Sequence, residues 1–202
     1  GMDGKEFKEA HNLENKFVVL YAGAHGPPND LGIVLEAAGV LREHKEIQFV
    51  LVGDGKEKGW LLAQAESREL ENVQFLPPVP KEEMPECLAA ADACIAILKP
   101  VEAFKTTYPN KVFDYLAAGR PVLLAIDGVI REVVEEAEAG IFVQPGNPDV
   151  LAKAILKLER DRDLGRRMGL AGRRYVEGHF DRSKQAAKLL AIMQDQVERK
   201  EF

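Results

Sequence analysis

Phe17-Val18-Val19-Leu20-Tyr21-Ala22-Gly23-Ala24-His25-Gly26-Pro27-Pro28-Asn29-Asp30-Leu31-Gly32 is the stretch that decides the fold. Its first part is a continuous apolar run, too short for a helix and stopped by Gly23, as expected of a strand covered on both faces. A loop of turn residues follows, and Asn29 or Asp30 caps a helix reaching about His44, with Leu31, Val34, Leu35, Ala38 and Leu41 on one face. The same alternation continues outward. Further strands are expected at 47–52, 73–76, 93–98, 121–125 and 141–143, and helices at 56–68, 81–91, 110–118, 129–138, 149–159 and 163–176. Strands alternating with helices imply a parallel sheet with helices on both faces. The expectation is an α/β, Rossmann-like three-layer domain with a six-stranded parallel sheet over residues 17–180. Residues 1–16 are polar without a sustained period and read as a leader or linker, and 181–202 as a C-terminal helix.

The net charge of −6 argues against a nucleic-acid surface, because a phosphate backbone demands a clustered basic face. No apolar run approaches the roughly 20 residues that span a bilayer, and no signal-peptide pattern opens the chain, so a cytoplasmic location is expected. Cys87 and Cys94 have a spacing that suits neither a zinc site nor a redox pair, and read as buried thiols. Gly1-Met2 reads as a protease scar before an initiator methionine, the start of a piece cut from something larger.

In an open parallel sheet, ligands bind beyond the carboxyl ends of the strands. After the first strand, the glycines at 23 and 26 let the backbone approach a ligand closely, and the helix that follows favours a phosphate; a plain strand-to-helix loop is the alternative. No Gly-Lys-Ser/Thr closes this loop, which excludes a phosphate loop of the nucleotidase kind. His25 is either a donor to a phosphate oxygen or an exposed loop histidine. Gly53-Asp54-Gly55, after the second strand, only partly matches a dinucleotide fingerprint and reads better as a tight turn.

The strongest signal is the stretch from Lys99 to Gly119. Pro109 suits a helix entry, and the free N–H groups of the turn that begins at Asn110 would face the crevice with partial positive charge. Lys111 and Asp114 can share one face of that helix. A lysine for phosphate and a carboxylate for vicinal ribose hydroxyls is the pairing a nucleoside diphosphate requires; a surface ion pair is the alternative.

The segments Tyr21-Ala22-Gly23, Phe49-Val50-Leu51-Val52-Gly53-Asp54-Gly55, Asn72-Val73-Gln74-Phe75-Leu76-Pro77 and Phe113-Asp114-Tyr115-Leu116-Ala117-Ala118-Gly119-Arg120-Pro121-Val122 occur in a telling order. Ala139-Gly140-Ile141-Phe142-Val143-Gln144-Pro145-Gly146-Asn147 and the helix around Met168-Gly169 extend it. Together they make the chain resemble the C-terminal domain of glycosyltransferase family 4, the retaining group with the GT-B architecture. That resemblance implies half of a GT-B fold that binds a nucleotide sugar, with a UDP-sugar favoured over a GDP-sugar and no metal or other cofactor. The family's ribose-holding glutamate falls at Asp114, which is one methylene shorter, and its other glutamate falls at Thr106, a departure from the pattern. A subgroup that builds bacterial surface polysaccharides carries the Pro109-x-Lys111 feature. By the same resemblance, Gly23, His25 and Gly26 close over the phosphates, and the backbone from Phe104 through Thr106 and Thr107 faces the diphosphate and sugar. Pro77, Val79 and Pro80 flank the base.

The resemblance also implies a partner, an N-terminal acceptor domain of comparable size that completes the reaction cleft. Without it the isolated domain is expected to be inactive, and no catalytic residue is assigned. Any contact with the inner face of the membrane would run through that partner half. Leu189, Leu190, Ile192 and Met193 in the last helix would lie exposed or pack on their own domain; if exposed, they favour self-association. The competing readings are a non-catalytic nucleotide-binding or phosphoacceptor domain, half of a sugar-nucleotide epimerase, and a nicotinamide dehydrogenase. The first strand lacks the acidic cluster of a phosphoacceptor module, and the carboxylate and histidine set of an epimerase is not evident.

Overall fold

The computed structural model describes residues 3–198; the Gly1-Met2 start and the last residues of the expected C-terminal helix, 199–202, lie outside them. Six strands form one parallel sheet: β1 Phe17–Ala22, β2 Ile47–Val52, β3 Val73–Leu76, β4 Ala93–Ile97, β5 Val122–Ala125 and β6 Gly140–Phe142, in the order β3-β2-β1-β4-β5-β6. Strand β1 pairs in register with β2 from Phe17 opposite Ile47 to Ala22 opposite Val52, and on its other side with β4 through Val19 opposite Ala93. The chain reverses its direction of winding between β1 and β4. Their carboxyl ends therefore splay loops to opposite sides and leave a crevice.

The alternation within β1 sorts the core into two layers. Phe17, Val19 and Tyr21 face helices α2 Leu31–Val40, α3 Lys58–Ser67 and α7 Pro148–Arg160, contributing to one buried cluster. Val18, Leu20 and Ala22 face α4 Met84–Ala89, α5 Asn110–Ala117 and α6 Val129–Glu136 in a second cluster on the opposite face. Every residue of β1 is buried, as its unbroken apolar run requires. Helix α7 begins on Pro148 with the Asn147 side chain accepting from the Val150 N–H at 3.1 Å. The helix α8, Arg162–His179, starts at Asp161, whose carboxylate accepts from the Leu164 N–H at 2.8 Å. It crosses close to the turn after α5, where a side chain on Gly169 would collide with the Gly119 carbonyl. The last helix, α9, covers Arg182–Glu198.

The N-terminal segment, expected to lack regular structure, is folded against the domain. Residues Lys5–Ala10 form α1, Leu13 is 1% exposed within the second core cluster, and Phe7 packs against that cluster. Lys8 reaches Asp92 at 3.2 Å, while the same Asp92 oxygen accepts from the Val18 N–H at 2.8 Å. The segment looked polar because its two apolar contacts are isolated in sequence and acquire meaning only against α4 and β4.

Candidate functional site

At the winding reversal the loops after β1 and β4 are tied together, the Lys99 N–H donating to the Pro28 carbonyl at 2.9 Å. Beneath them α5 docks on the carboxyl end of β1 through the buried Tyr115, whose hydroxyl accepts from the Ala22 N–H at 3.0 Å and donates to the Ala22 carbonyl at 3.2 Å. This clamp sets the direction of the first turn of α5, one turn earlier on the helix. From there Lys111 reaches across the end of β1. Its Nζ lies 2.7 Å from the Tyr21 hydroxyl, 3.2 Å from Asn29 Oδ1 and 4.1 Å from the centre of the Tyr21 ring.

These partners are a phenol, an amide oxygen and an aromatic face, and none carries a compensating negative charge. Burial pushes the Lys111 pKa down to about 8. An ammonium stripped of much of its water and given only neutral partners is arranged to take an anion. The Pro109 cap of α5 presents no side-chain acceptor to the first turn, which leaves the turn beginning at Asn110 to add its positive end to the same crevice.

Glycines let the loop after β1 sit low. Gly23, with φ +149°, lies against Lys111, and its N–H donates to the Val52 carbonyl at 3.0 Å. A side chain on Gly53 would collide with the Gly23 carbonyl oxygen, and one on Gly55 would run into the backbone of His25. The tight turn at Gly53-Asp54-Gly55 is thus the floor on which the loop 23–29 rests. Gly26 is less constrained, since a side chain there would meet only the Pro28 ring at 3.8 Å.

The expected site residues separate into groups. Gly23, Gly26 and Lys111 gather at the reversal, and Asn110 is exposed on the first turn of α5. His25 is in the same loop, but its ring is buried, contrary to the exposed-loop alternative, because the loop folds back over Gly53 and Gly55. Asp114, three residues along the helix from Lys111, is exposed and lines a groove with Lys81, Met84, Pro85 and Arg120. Pro77 and Val79 follow β3 at the sheet edge, Pro77 exposed and Val79 packed on the second core cluster.

Phe104 and Thr106 belong to a short 3-10 turn, Glu102–Thr106, with Thr107 just after it. Phe104 lines a 240 Å³ pocket beyond the ends of β4, β5 and β6, with Lys99, Glu102, Lys105, Asp127 and Gln144 among its walls. Tyr21 and Asn29 escaped the sequence reading. A tyrosine in an apolar strand run reads as one more core residue, and only its position two residues before the glycine, at the strand's carboxyl end, sets it apart. Among the described residues no group of three or more His, Cys, Asp and Glu side chains could hold a metal ion.

A doubly wound α/β sheet with a largely buried lysine at its winding reversal defines a Rossmann-like domain. The chain belongs to the glycosyl transferases group 1 family, whose model matches residues 3–175. It is 30% identical over 146 residues to WcaI of Escherichia coli (strain K12), which its name assigns provisionally to colanic acid biosynthesis as a glycosyl transferase, covering 70% of this chain and 35% of that protein. The chain resembles HepE from Anabaena, crystallised with UDP and glucose, at a TM-score of 0.80 and 23% identity, over 94% of this chain and 52% of HepE. It also matches a C-terminal domain of a group 1 glycosyl transferase, LpcC from Francisella tularensis, at a TM-score of 0.76 and 16% identity, over 90% of this chain and 95% of that one. The structural likenesses extend the GT-B relationship of the fold. The chain spans 35%, 48% and 51% of the first curated relatives it matches.

Proposed function

We propose that this chain is the C-terminal, donor-binding domain of a retaining, metal-independent family 4 glycosyltransferase that builds bacterial surface polysaccharide or a related glycan. The observation that carries this proposal is Lys111, mostly buried at the winding reversal with only neutral partners within reach. The diphosphate of a nucleotide sugar supplies the missing charge there, under the backbone of Gly23 and Gly26. From that anchor the ribose extends to Asp114 in the adjacent groove and the base to Pro77 and Val79, while the sugar lies towards Phe104, Thr106 and Thr107.

UDP-sugar is the donor this proposal favours, supported by the likeness to HepE, crystallised with UDP and glucose. An N-terminal acceptor domain completes the cleft, so the isolated domain binds donor without transferring sugar. Such an enzyme works on the cytoplasmic side, and its membrane contacts, where present, run through the acceptor half. Leaving-group charge is stabilised by Lys111 and the α5 terminus without a required metal.

Thermal shift against UDP, GDP, ADP and NAD, each with and without EDTA, tests the proposal. Ligand at a hundred times its dissociation constant adds about 2.7 kcal/mol, or several degrees for a domain of this size. The expected result is a shift with UDP, smaller with GDP, that survives EDTA. A shift confined to NAD, or one abolished by EDTA, would contradict the proposal.

A further inference from the structure

The imidazole of His25 is 0% exposed, and neither Nδ1 nor Nε2 has a hydrogen-bond partner. A neutral imidazole carries one N–H and one lone pair in either tautomer, so two polar functions are buried unmatched. The ring lies between Tyr21 and Phe75, with centroids 6.0 and 6.1 Å away. The Val52 carbonyl, which accepts the Gly23 N–H at 3.0 Å, faces the ring closely enough to draw its pKa up, yet offers neither ring nitrogen a hydrogen bond of proper length and angle. Each unmatched group carries a desolvation penalty that no bond offsets, and a phenylalanine would occupy such an aromatic pocket without it. The histidine therefore works against the stability of the empty chain.

Its setting shows what it can serve. The backbone of His25 is fastened on both sides, its N–H donating to the Asp54 carbonyl at 2.8 Å and its carbonyl accepting from the Glu57 N–H at 2.9 Å. The loop backbone is therefore held without any contribution from the side chain. Burial, then the ammonium of Lys58 and further that of Lys111, hold its pKa below the ordinary histidine value against the opposing pulls of Asp54 and the Val52 carbonyl, so the buried ring is neutral. The next residue, Gly26, is loosely packed, a side chain built there meeting only the Pro28 ring at 3.8 Å.

We propose that His25 is a ligand-drawn phosphate donor: with the crevice empty its imidazole rests in the core, and a nucleoside diphosphate draws the ring out to donate an N–H to a phosphate oxygen. This rests on the donor-site reading above and adds to it a rearrangement that Lys111 does not need. A hydrogen bond to a charged acceptor is among the stronger ones in proteins, and it replaces two unmatched groups, so the ligand gains differential affinity for the outward rotamer.

The test uses the 202-residue chain and UDP as the probe. His25→Phe is expected to raise Tm without nucleotide and to weaken UDP binding by roughly tenfold or more in calorimetry. In the wild-type chain, long-range 1H–15N spectra of the His25 ring are expected to show no hydrogen-bonded nitrogen without UDP and one with it. Equal UDP affinity in the wild type and His25→Phe, or ring nitrogens unmoved by saturating UDP, would overturn this inference while leaving the donor site standing. The spectra decide it even if His25→Phe fails to fold. Absence of UDP binding by the wild-type chain would overturn the donor site and this inference together.

Discussion

Lys111 is the residue on which the proposed donor site turns. Its pKa of about 8 sits far below that of a free lysine because burial disfavours the ammonium. Two pH effects follow. UDP affinity is expected to fall as pH rises from 7 to 9.5, as Lys111 loses the proton the diphosphate needs, and calorimetry at fixed ionic strength reads this directly. Stability moves the other way. An unfolded lysine keeps its proton to about 10.4 while the folded one drops it near 8, so in that window the unfolded chain binds more protons and stability rises with pH. Below the window both states are protonated and the contribution is flat. The Tm of the wild type between pH 8 and 10 is therefore expected to rise relative to that of Lys111→Met; a parallel response of the two proteins would count against a buried ammonium. The sequence exposed Lys111 through the proline that opens its helix. It did not expose Tyr21 or the burial of His25, because both depend on how far the loop after β1 sinks onto Gly53 and Gly55, a contact between segments far apart in the chain.

At the scale of elements, the sheet was readable because each strand is a short apolar run bounded by glycine, proline or polar residues, and strands β1, β2 and β3 lie where the pattern puts them. Boundaries were harder where turns intervene. The helix expected at 81–91 begins only at Met84, since the N–H groups of Glu83 and Met84 both donate to the Pro80 carbonyl in a turn first. The missed α1 shows the other limit, an element held by tertiary contacts rather than by its own periodicity. Leu13→Ala should cost about 2–5 kcal/mol in urea unfolding, the value for a core leucine, whereas a loose leader would tolerate it. The clamp between α5 and β1 makes a sharper claim. Tyr115→Phe leaves the buried Ala22 N–H unmatched and should cost about 1–3 kcal/mol, and it should also weaken UDP binding by loosening the helix that carries Lys111. Unchanged stability would mean that Tyr115 acts by packing alone.

At the scale of the whole molecule, α9 carries Leu189, Leu190, Ile192 and Met193 with exposures between 51% and 59%, an apolar stripe uncovered by the described residues. Among those residues no helix is long and apolar enough to cross a membrane. If the stripe drives association, the chain should self-associate at high concentration in sedimentation, and Leu189→Glu combined with Leu190→Glu should return it to a monomer. A clean monomer in the parent chain would dissociate the stripe from self-association.

Calorimetric titration of UDP into the wild-type chain and into Lys111→Ala, in EDTA at pH 7, tests the donor site most directly. Binding by the wild type, weakened about tenfold or more in Lys111→Ala with the fold intact, is the expected result. No binding by the wild type, or equal affinity in both proteins, would mean that the crevice at the winding reversal is not where a nucleoside diphosphate goes.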